Sequence, residues 1–227
     1  NAILKDLEGA QFEVNEVRRR EQKKNPYPPF ITSSLQQDAS RKLGYPAKKT
    51  MSIAQRLYEG IDLSEGGAVG LITYMRTDSV RVADVAIEEV RKYITDNFSP
   101  EYLPKTPNVY KTKKSAQDAH EAIRPTSVMR APEKIKSDLT SEQFKVYELI
   151  WKRFLASQMT SAVSDTTSID IKAKDYIFRS TGSVMKFKGY LAIYDESKDV
   201  EDEKENELPV LEKGEVLTVE KIVPSQH

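Results

Sequence analysis

The sequence of 227 residues contains no cysteine and only two histidines, one of them the terminal His227. Without cysteine the chain can form no disulfide bond, perform no thiolate catalysis and bind no zinc through sulfur. A single internal histidine is too few for a histidine-based metal cluster. Any metal site in this chain must therefore use carboxylate ligands.

Long apolar runs are absent as well. The longest uncharged apolar stretch, GGAVGLITY at Gly66–Tyr74, is far shorter than the ~20 residues that cross a bilayer as a helix. The sequence therefore predicts no membrane span. It begins at Asn1 without a signal-like stretch and stops just after a strand-like run, which leads us to expect a piece of a longer protein.

The formal net charge of zero conceals an uneven distribution. Residues 195–215 hold ten acidic residues and three lysines, so the rest of the chain carries a net charge of +7. A basic body is compatible with a nucleic-acid partner, because Lys and Arg facing phosphates supply most of the non-specific affinity. The same balance suits many ordinary proteins, and the indication is weak.

Strand-like patterns lie near the two ends of the chain. Short apolar alternations around Glu8 and Gly9 predict a hairpin within Ile3–Val17. Residues 18–29, which end in NPYPP, predict a connection rather than a helix or a central strand, because proline lacks the N–H donor and fixes φ. Alternating runs after the middle of the chain predict strands over Thr166–Ala173, Tyr176–Ser180, Met185–Tyr194 and Val216–Val223.

The middle of the chain has the periodicity of helices. It predicts one helix from Leu35 to Gly44 and another from Thr50 to Gly60, and the turn between them gives the pair a helix-turn-helix layout. Further helices are predicted over Val80–Phe98, Ser115–Ile123 and Ser141–Met159.

This order of elements predicts an α+β fold, in which a mainly helical domain with helix-turn-helix-like elements is inserted into a β-rich one. We assign residues 32–160 to the helical domain. Residues 1–31 and 161–227 form the β-rich domain, which includes an acidic loop at 195–215.

The segment with the most chemistry is Gly70–Ser79, GLITYMRTDS. A strand-like entry ends in Tyr74, with Arg76 two residues later and three hydrogen-bonding side chains next. A tyrosine hydroxyl beside a guanidinium can attack a phosphodiester, because the planar fork of Arg stabilises charge on the non-bridging oxygens. On residue types alone, a packed tyrosine, a solvated arginine and a helix cap are the more ordinary interpretation.

A second cluster, AHEAIRPT at Ala119–Thr126, contains the internal histidine, His120. Arg124 follows four residues later, and Pro125 ends the predicted helix. Taken alone, the motif is more ordinarily interpreted as a solvated helix end at which Arg124 complements the helix dipole. Beside Tyr74, however, His120 could donate a hydrogen bond or a positive charge to a phosphate.

Four motifs in sequence order resemble the consecutive signatures of type IA DNA topoisomerases, specifically the bacterial DNA topoisomerase I family. They are PPFITSSLQQDA at Pro28–Ala39, KTM with AQRLYE at Lys49–Glu59, LITYMRTDS at Leu71–Ser79 and AHEAIRPT at Ala119–Thr126. The resemblance extends over nearly the whole chain.

The resemblance implies that Tyr74 attacks single-stranded DNA and forms a 5′-phosphotyrosyl link, which is resealed after another strand has passed. Arg76 and His120 occupy matching positions and would act at the scissile phosphate. Thr77 and Asp78 would hold the geometry of the reacting groups. The remaining candidates for DNA contact, for several of which a solvated role is the more ordinary one, are Gln36, Arg41, Lys48, Lys49 and Arg124.

The resemblance also implies Mg²⁺, bound in the complete enzyme by a toprim domain that has no counterpart in this sequence. DVEDE at 199–203 echoes an acidic metal motif, but it lies in a low-complexity run and is interpreted as a solvated loop. We therefore expect no metal in this chain and no cleavage by it alone. The implied partners are single-stranded DNA and the toprim and strand-binding domains of the same cytoplasmic, nucleoid-associated enzyme, with the piece itself monomeric.

In that family the two β-rich segments form an arch, which places expected hinges near Asn25–Pro29 and Met159–Ser164. Two other classes of protein share parts of this pattern. A tyrosine recombinase also combines Tyr, Arg and His, but its His-x-x-Arg pair precedes the tyrosine, whereas Tyr74 precedes His120. A non-enzymatic helix-turn-helix DNA-binding module is the stronger alternative, and it predicts indifference to Tyr74→Phe.

Overall fold

The computed structural model describes residues 2–64, 66–111, 120–195 and 207–224. The helices are α1 (Ala2–Asp6), α2 (Thr32–Asp38), α3 (Ala47–Glu59), α4 (Asp84–Asn97) and α5 (Ser141–Ser157). The strands are β1 (Phe12–Lys24), β2 (Ile61–Leu63), β3 (Gly67–Val69), β4 (Ala162–Ala173), β5 (Tyr176–Phe187) and β6 (Val216–Leu217). The predicted α+β class is confirmed.

The chain divides into two compact units, and the mainly helical one interrupts the β-rich one in sequence. The β-rich unit consists of Asn1–Lys23, Val163–Phe187 and Glu201–His227, and the helical unit of Lys24–Ala162 and Lys188–Val200. Among the described residues, no helix combines the length and the apolar character that crossing a membrane requires.

The β-rich unit contains a four-stranded sheet in the order β5-β4-β1-β6. β4 and β5 form an antiparallel hairpin that closes at Ala173 and Tyr176, where Lys174 takes the left-handed conformation with φ of 53°. β6 pairs with the start of β1. Leu7, Phe12 and Ala173 form a buried hydrophobic cluster in this unit.

The predicted hairpin within Ile3–Val17 is wrong, because its first half is the short helix α1. Gly9, with φ of 69°, lies in the turn that follows α1. Leu7, directly after this helix, packs in the buried cluster with Phe12 and Ala173. The predicted connection at residues 18–29 is also wrong over its first half. β1 continues to Lys24 because the first proline is Pro26, and its outer residues are exposed charged side chains that a solvated strand accommodates.

The predicted strands Tyr176–Ser180 and Met185–Tyr194 form one continuous strand, β5, and two of the predicted strands extend too far toward the end of the chain. β5 ends at Phe187 and a 3₁₀ turn follows over Gly189–Ala192, where Gly189 with φ of 48° lies against the backbone carbonyl of Thr160. A Cβ would not fit there. Of the predicted strand Val216–Val223, only Val216–Leu217 pairs.

The helical unit contains the predicted neighbouring helices. α2 continues as a π-helical turn over Ala39–Leu43 and ends at Gly44, which has φ of 69°. α3 begins at Ala47, three residues before the predicted start at Thr50. α4, by contrast, begins later than predicted, at Asp84, and the Ser79 hydroxyl accepts a hydrogen bond from the Arg81 N–H in the non-helical segment before it.

α5 confirms the strongest helix prediction. Thr140 caps it by accepting a hydrogen bond from the backbone of Gln143, whose side chain bonds back to Thr140. The apolar face of α5 is buried, and this helix packs against α3. The predicted helix Ser115–Ile123 is wrong over its described part, because residues 120–123 form an extended segment; residues 115–119 lie outside the described residues.

Candidate active site

Three segments that are distant in sequence meet in the helical unit. An isolated antiparallel bridge joins Phe30 to Ile123, and a second joins Ile72 to Pro125. The backbone N–H of Ile123 donates to the Phe30 carbonyl at 2.8 Å. The two sequence motifs that contain Tyr74 and His120 are therefore held side by side by main-chain hydrogen bonds.

Thr73 strengthens this junction with its side chain. Its hydroxyl donates to the Ala122 carbonyl at 2.6 Å and accepts from the Arg124 N–H at 3.0 Å, while its own N–H donates to the Arg124 carbonyl at 2.9 Å. Hydrogen bonds between the same two segments fix their register. The residue before Tyr74 is thus locked to the segment that follows His120.

Tyr74 is exposed although its apolar neighbours in the sequence are buried. Leu71, Ile72 and Met75 are completely or almost completely buried, whereas Tyr74 keeps 42% of its surface exposed. The Tyr74 ring lies 6.3 Å from the His120 ring and 5.4 Å from the Tyr58 ring, measured between centroids. The structure therefore brings Tyr74 and His120 into one site.

Thr32, at the start of α2, fixes the backbone that follows the tyrosine. Its hydroxyl contacts the carbonyls of Met75 and Thr77 at 2.8 and 3.0 Å and accepts from the Thr77 N–H at 2.9 Å. The Thr32 N–H donates to the Thr77 carbonyl as well. Thr32 therefore holds the backbone on both sides of Arg76.

An open pocket of about 560 Å³ lies beside these segments. Arg76 and Asp78 are exposed at its surface, and His120 is half-buried. The residues that line it are Ile31, Thr32, Ser33, Gln36, Arg76, Thr77, Asp78 and His120. A guanidinium, an imidazole, hydroxyls and an amide in one open depression are groups that bind a phosphodiester.

Thr77 and Arg124 have partners within the protein. Thr77 is buried, and its hydroxyl accepts the Ser79 N–H at 3.0 Å, which shapes the turn before α4. The Arg124 guanidinium pairs with Glu121 at 2.7 Å and donates to the Pro125 carbonyl, with only 11% of the side chain exposed. The structure thus gives both side chains contacts that hold the segments in place.

The four remaining candidates lie on α2, on the π-helical turn that continues it, and on α3. Gln36 lines the pocket described above and, together with Arg41, a neighbouring one of about 610 Å³. Lys48 is exposed at the start of α3. Lys49 forms an ion pair with Glu142 at 2.5 Å and lies over the Tyr45 ring, and the hydrogen bond with Glu142 raises the pKa of this lysine.

The sequence analysis did not predict a buried ion pair that involves Asp38, the last residue of α2. Asp38 and Arg153 are each 4% exposed and form an ion pair at 3.6 Å, and the Tyr194 hydroxyl donates to Asp38. Burial raises the pKa of the Tyr194 phenol, which stays protonated as a donor. The sequence signal that could have indicated this pair is the position of Arg153, a charged residue among the apolar residues on the buried face of α5.

No group of three or more His, Asp or Glu side chains within the described residues is arranged to hold a metal ion.

Comparison with known proteins shows the family to which the chain belongs. A family model described as DNA topoisomerase matches residues 1–227. The chain therefore belongs to the DNA topoisomerase family, and within it to the type IA class. The resemblance found in the sequence motifs is thus confirmed.

Among solved structures, the chain is similar to full-length topoisomerase I from Thermotoga maritima, with 40% sequence identity and a TM-score of 0.78. The match covers 95% of this chain and 34% of the Thermotoga protein. The chain thus spans about one third of that relative.

Proposed function

We propose that this chain supplies the nucleophile of a type IA DNA topoisomerase, which cleaves and reseals one DNA strand through a 5′-phosphotyrosyl intermediate and relaxes negative supercoils. One observation carries the proposal. The exposed Tyr74 ring lies beside His120, which also lines the open pocket that contains Arg76. Family membership supports the same function.

The proposed reaction exchanges one phosphodiester for another. The Tyr74 oxygen attacks phosphorus, a P–O bond to tyrosine forms, and the P–O bond to the 3′-oxygen breaks. The phenolic proton is lost, and the departing 3′-oxygen takes up a proton. Since one ester replaces another, the reverse reaction reseals the strand without an external energy source.

Arg76 and His120 are assigned to the phosphate. The fork of Arg76 suits the two non-bridging oxygens, whose charge grows as the nucleophile attacks. His120 would donate a hydrogen bond to the phosphate or to the leaving oxygen. Asp78 and Thr77 would maintain the geometry of this turn, and Arg124 would act through its pair with Glu121. Gln36, Arg41, Lys48 and Lys49 are assigned weaker contacts with the DNA backbone.

We further propose that this chain alone does not cleave DNA. A tyrosine hydroxyl must lose its proton to a base before it attacks, and a charged phosphate needs more positive charge than Arg76 and His120 offer. A toprim domain of the complete enzyme would supply the remaining groups and bind Mg²⁺. The enzyme would act on single-stranded DNA in the cytoplasm, at the nucleoid, and the chain alone would bind it weakly and in a salt-sensitive way.

The test uses a complete topoisomerase that contains this sequence. The enzyme is mixed with end-labelled single-stranded DNA and Mg²⁺, denatured, and examined for protein covalently attached to DNA. Tyr74→Phe should abolish the adduct. Tyr27→Phe is the matched control, because it removes a hydroxyl from a tyrosine of similar exposure, 37%, elsewhere in the helical unit.

An adduct that persists in Tyr74→Phe, or one that forms in neither protein, would refute the assignment and favour a non-enzymatic DNA-binding module. The 227-residue chain is tested in parallel. Cleavage by this chain alone would contradict the predicted need for a toprim domain.

A further inference from the structure

Two exposed tyrosines touch each other at the candidate active site. Only three aromatic side chains in the described ranges are both large and exposed, namely Tyr27, Tyr58 and Tyr74, with exposed fractions of 37%, 41% and 42%. Tyr58 and Tyr74 contact each other with ring centroids 5.4 Å apart and planes inclined by 62°. The contact leaves both rings accessible to solvent.

The backbone fixes the position of Tyr58 relative to Tyr74. The Leu71 N–H donates to the Leu57 carbonyl at 2.7 Å, which ties the end of α3 to the strand-like entry of the tyrosine segment. Gly70 lies so close to this helix end that a Cβ would meet the Tyr58 carbonyl oxygen at 2.8 Å. The two rings are therefore held by a close backbone junction.

Packing within the described part of the protein does not explain why residue 58 is an aromatic residue. Within the described residues its hydroxyl makes no hydrogen bond, and its ring contact is with Tyr74, itself exposed. The buried anchor at this helix end is the neighbouring Leu57, which is 0% exposed. Exposed aromatic rings beside a nucleic-acid site are the residues on which unpaired bases stack.

The surroundings complete a site for a nucleotide. The Tyr74 ring contacts both the Tyr58 ring and the His120 ring, with centroid separations of 5.4 and 6.3 Å. His120 also lines the polar pocket that contains Arg76. A single strand whose phosphate is bound by Arg76 and His120 beside Tyr74 could place a neighbouring base on the Tyr58 ring.

We propose that Tyr58 is a stacking site for the unpaired nucleobase that flanks the phosphate attacked by Tyr74. The inference rests on the proposed function of Tyr74. It adds a binding residue that recognises the flat face of a base, and therefore favours single-stranded over duplex DNA, where the bases are already stacked.

The experiment measures binding rather than cleavage. Fluorescence anisotropy follows the 227-residue chain with a labelled oligothymidine of about 12 nucleotides, a length within the range of single-strand binding sites. A series of oligonucleotides removes one base at a time by placing an abasic nucleotide at each position. One position should weaken binding to the wild-type chain by roughly 5- to 100-fold, the range seen for loss of a stacked base.

Tyr58→Leu should weaken binding of the intact oligonucleotide to a similar degree and should remove the effect of the abasic nucleotide at that position. Tyr58→Phe is the matched control, since it keeps the ring and should behave as wild type. Thermal unfolding of each variant shows whether the chain is folded in the assay.

Three results would overturn the stacking site: the same abasic pattern in Tyr58→Leu as in wild type, unchanged affinity of that variant, or no measurable binding of single strands by the folded wild-type chain. Adduct formation by the complete enzyme distinguishes the two proposals. If Tyr74→Phe abolishes the adduct while Tyr58→Leu leaves the abasic pattern unchanged, only the stacking site fails. If the adduct does not depend on Tyr74, the proposed function fails whatever Tyr58 does.

Discussion

Replacing Arg153 by methionine tests whether the buried ionic group supports the active site. The Arg153 guanidinium pairs with Asp38, and its Nε donates to the Pro28 carbonyl at 2.7 Å. The rings of Tyr27, Phe30 and Tyr194 surround it at centroid distances of 4.9 to 5.2 Å. Methionine is long enough to fill most of this space, but it offers no charge and no donor.

The expected loss of unfolding free energy is about 3–5 kcal/mol, because removing one partner of a buried pair leaves the other charge without adequate compensation. The Tyr194 hydroxyl and the more distant Arg41 guanidinium, at 3.9 Å, remain near Asp38 and compensate only in part. For a domain with a stability of about 5–15 kcal/mol, this loss is a large share of the total.

Urea denaturation at neutral pH measures the change, and Lys92→Met is the matched control. Lys92 pairs with Asp96 at 2.8 Å on α4, but its side chain is 68% exposed, so the same kind of substitution should cost only about 0.3–0.5 kcal/mol. Hydrogen exchange adds a local readout. Because Pro28 and Phe30 belong to one segment, the Ile123 N–H that donates to Phe30 should exchange faster in Arg153→Met. A loss below about 1 kcal/mol would refute the reasoning.

Two further substitutions test other parts of the chain. Gly70→Ala should destabilise the helical unit by about 1–3 kcal/mol in urea denaturation, because the new Cβ would lie 2.8 Å from the Tyr58 carbonyl oxygen; an unchanged midpoint would contradict the close contact. In the β-rich unit, the hydrogen bond from Arg179 lowers the pKa of Asp170 below its usual 3.8. That bond stabilises the fold above this value and is lost as the pH falls through the folded pKa. Arg179→Leu should therefore lower the melting temperature at neutral pH, with a difference that shrinks in acid; a constant difference would contradict the linkage.

Elements whose signals are local could be predicted from the sequence. α5 is an example, since its cap at Thr140 and its apolar period both lie within the helix itself. The AHEAIRPT segment shows the opposite case. Its composition indicates a helix, but residues 120–123 are extended because Ile123 bonds to Phe30, more than ninety residues earlier in the chain. Local propensity contains no information about such a partner.

The same distinction applies to the site. Tyr74, Arg76 and His120 could be selected from their chemistry and their motifs, whereas the contact between the Tyr74 and His120 rings depends on the pairing of two remote segments. Arg153 and Asp38 were not predicted as partners for a related reason. Their charges are buried in the fold, and the helices that contain them are separated by more than a hundred residues.

The structure separates the groups that would react from the groups that position them. Tyr74 and Arg76 are exposed, while Thr73 and Thr32 hold their backbone through several hydrogen bonds each. The rate of the proposed ester exchange depends on how well the nucleophile and the phosphate are aligned. It follows that substitutions in the positioning groups should lower stability and rate together. Substitutions at the exposed groups should lower the rate and leave stability nearly unchanged, because those side chains make few contacts that folding requires.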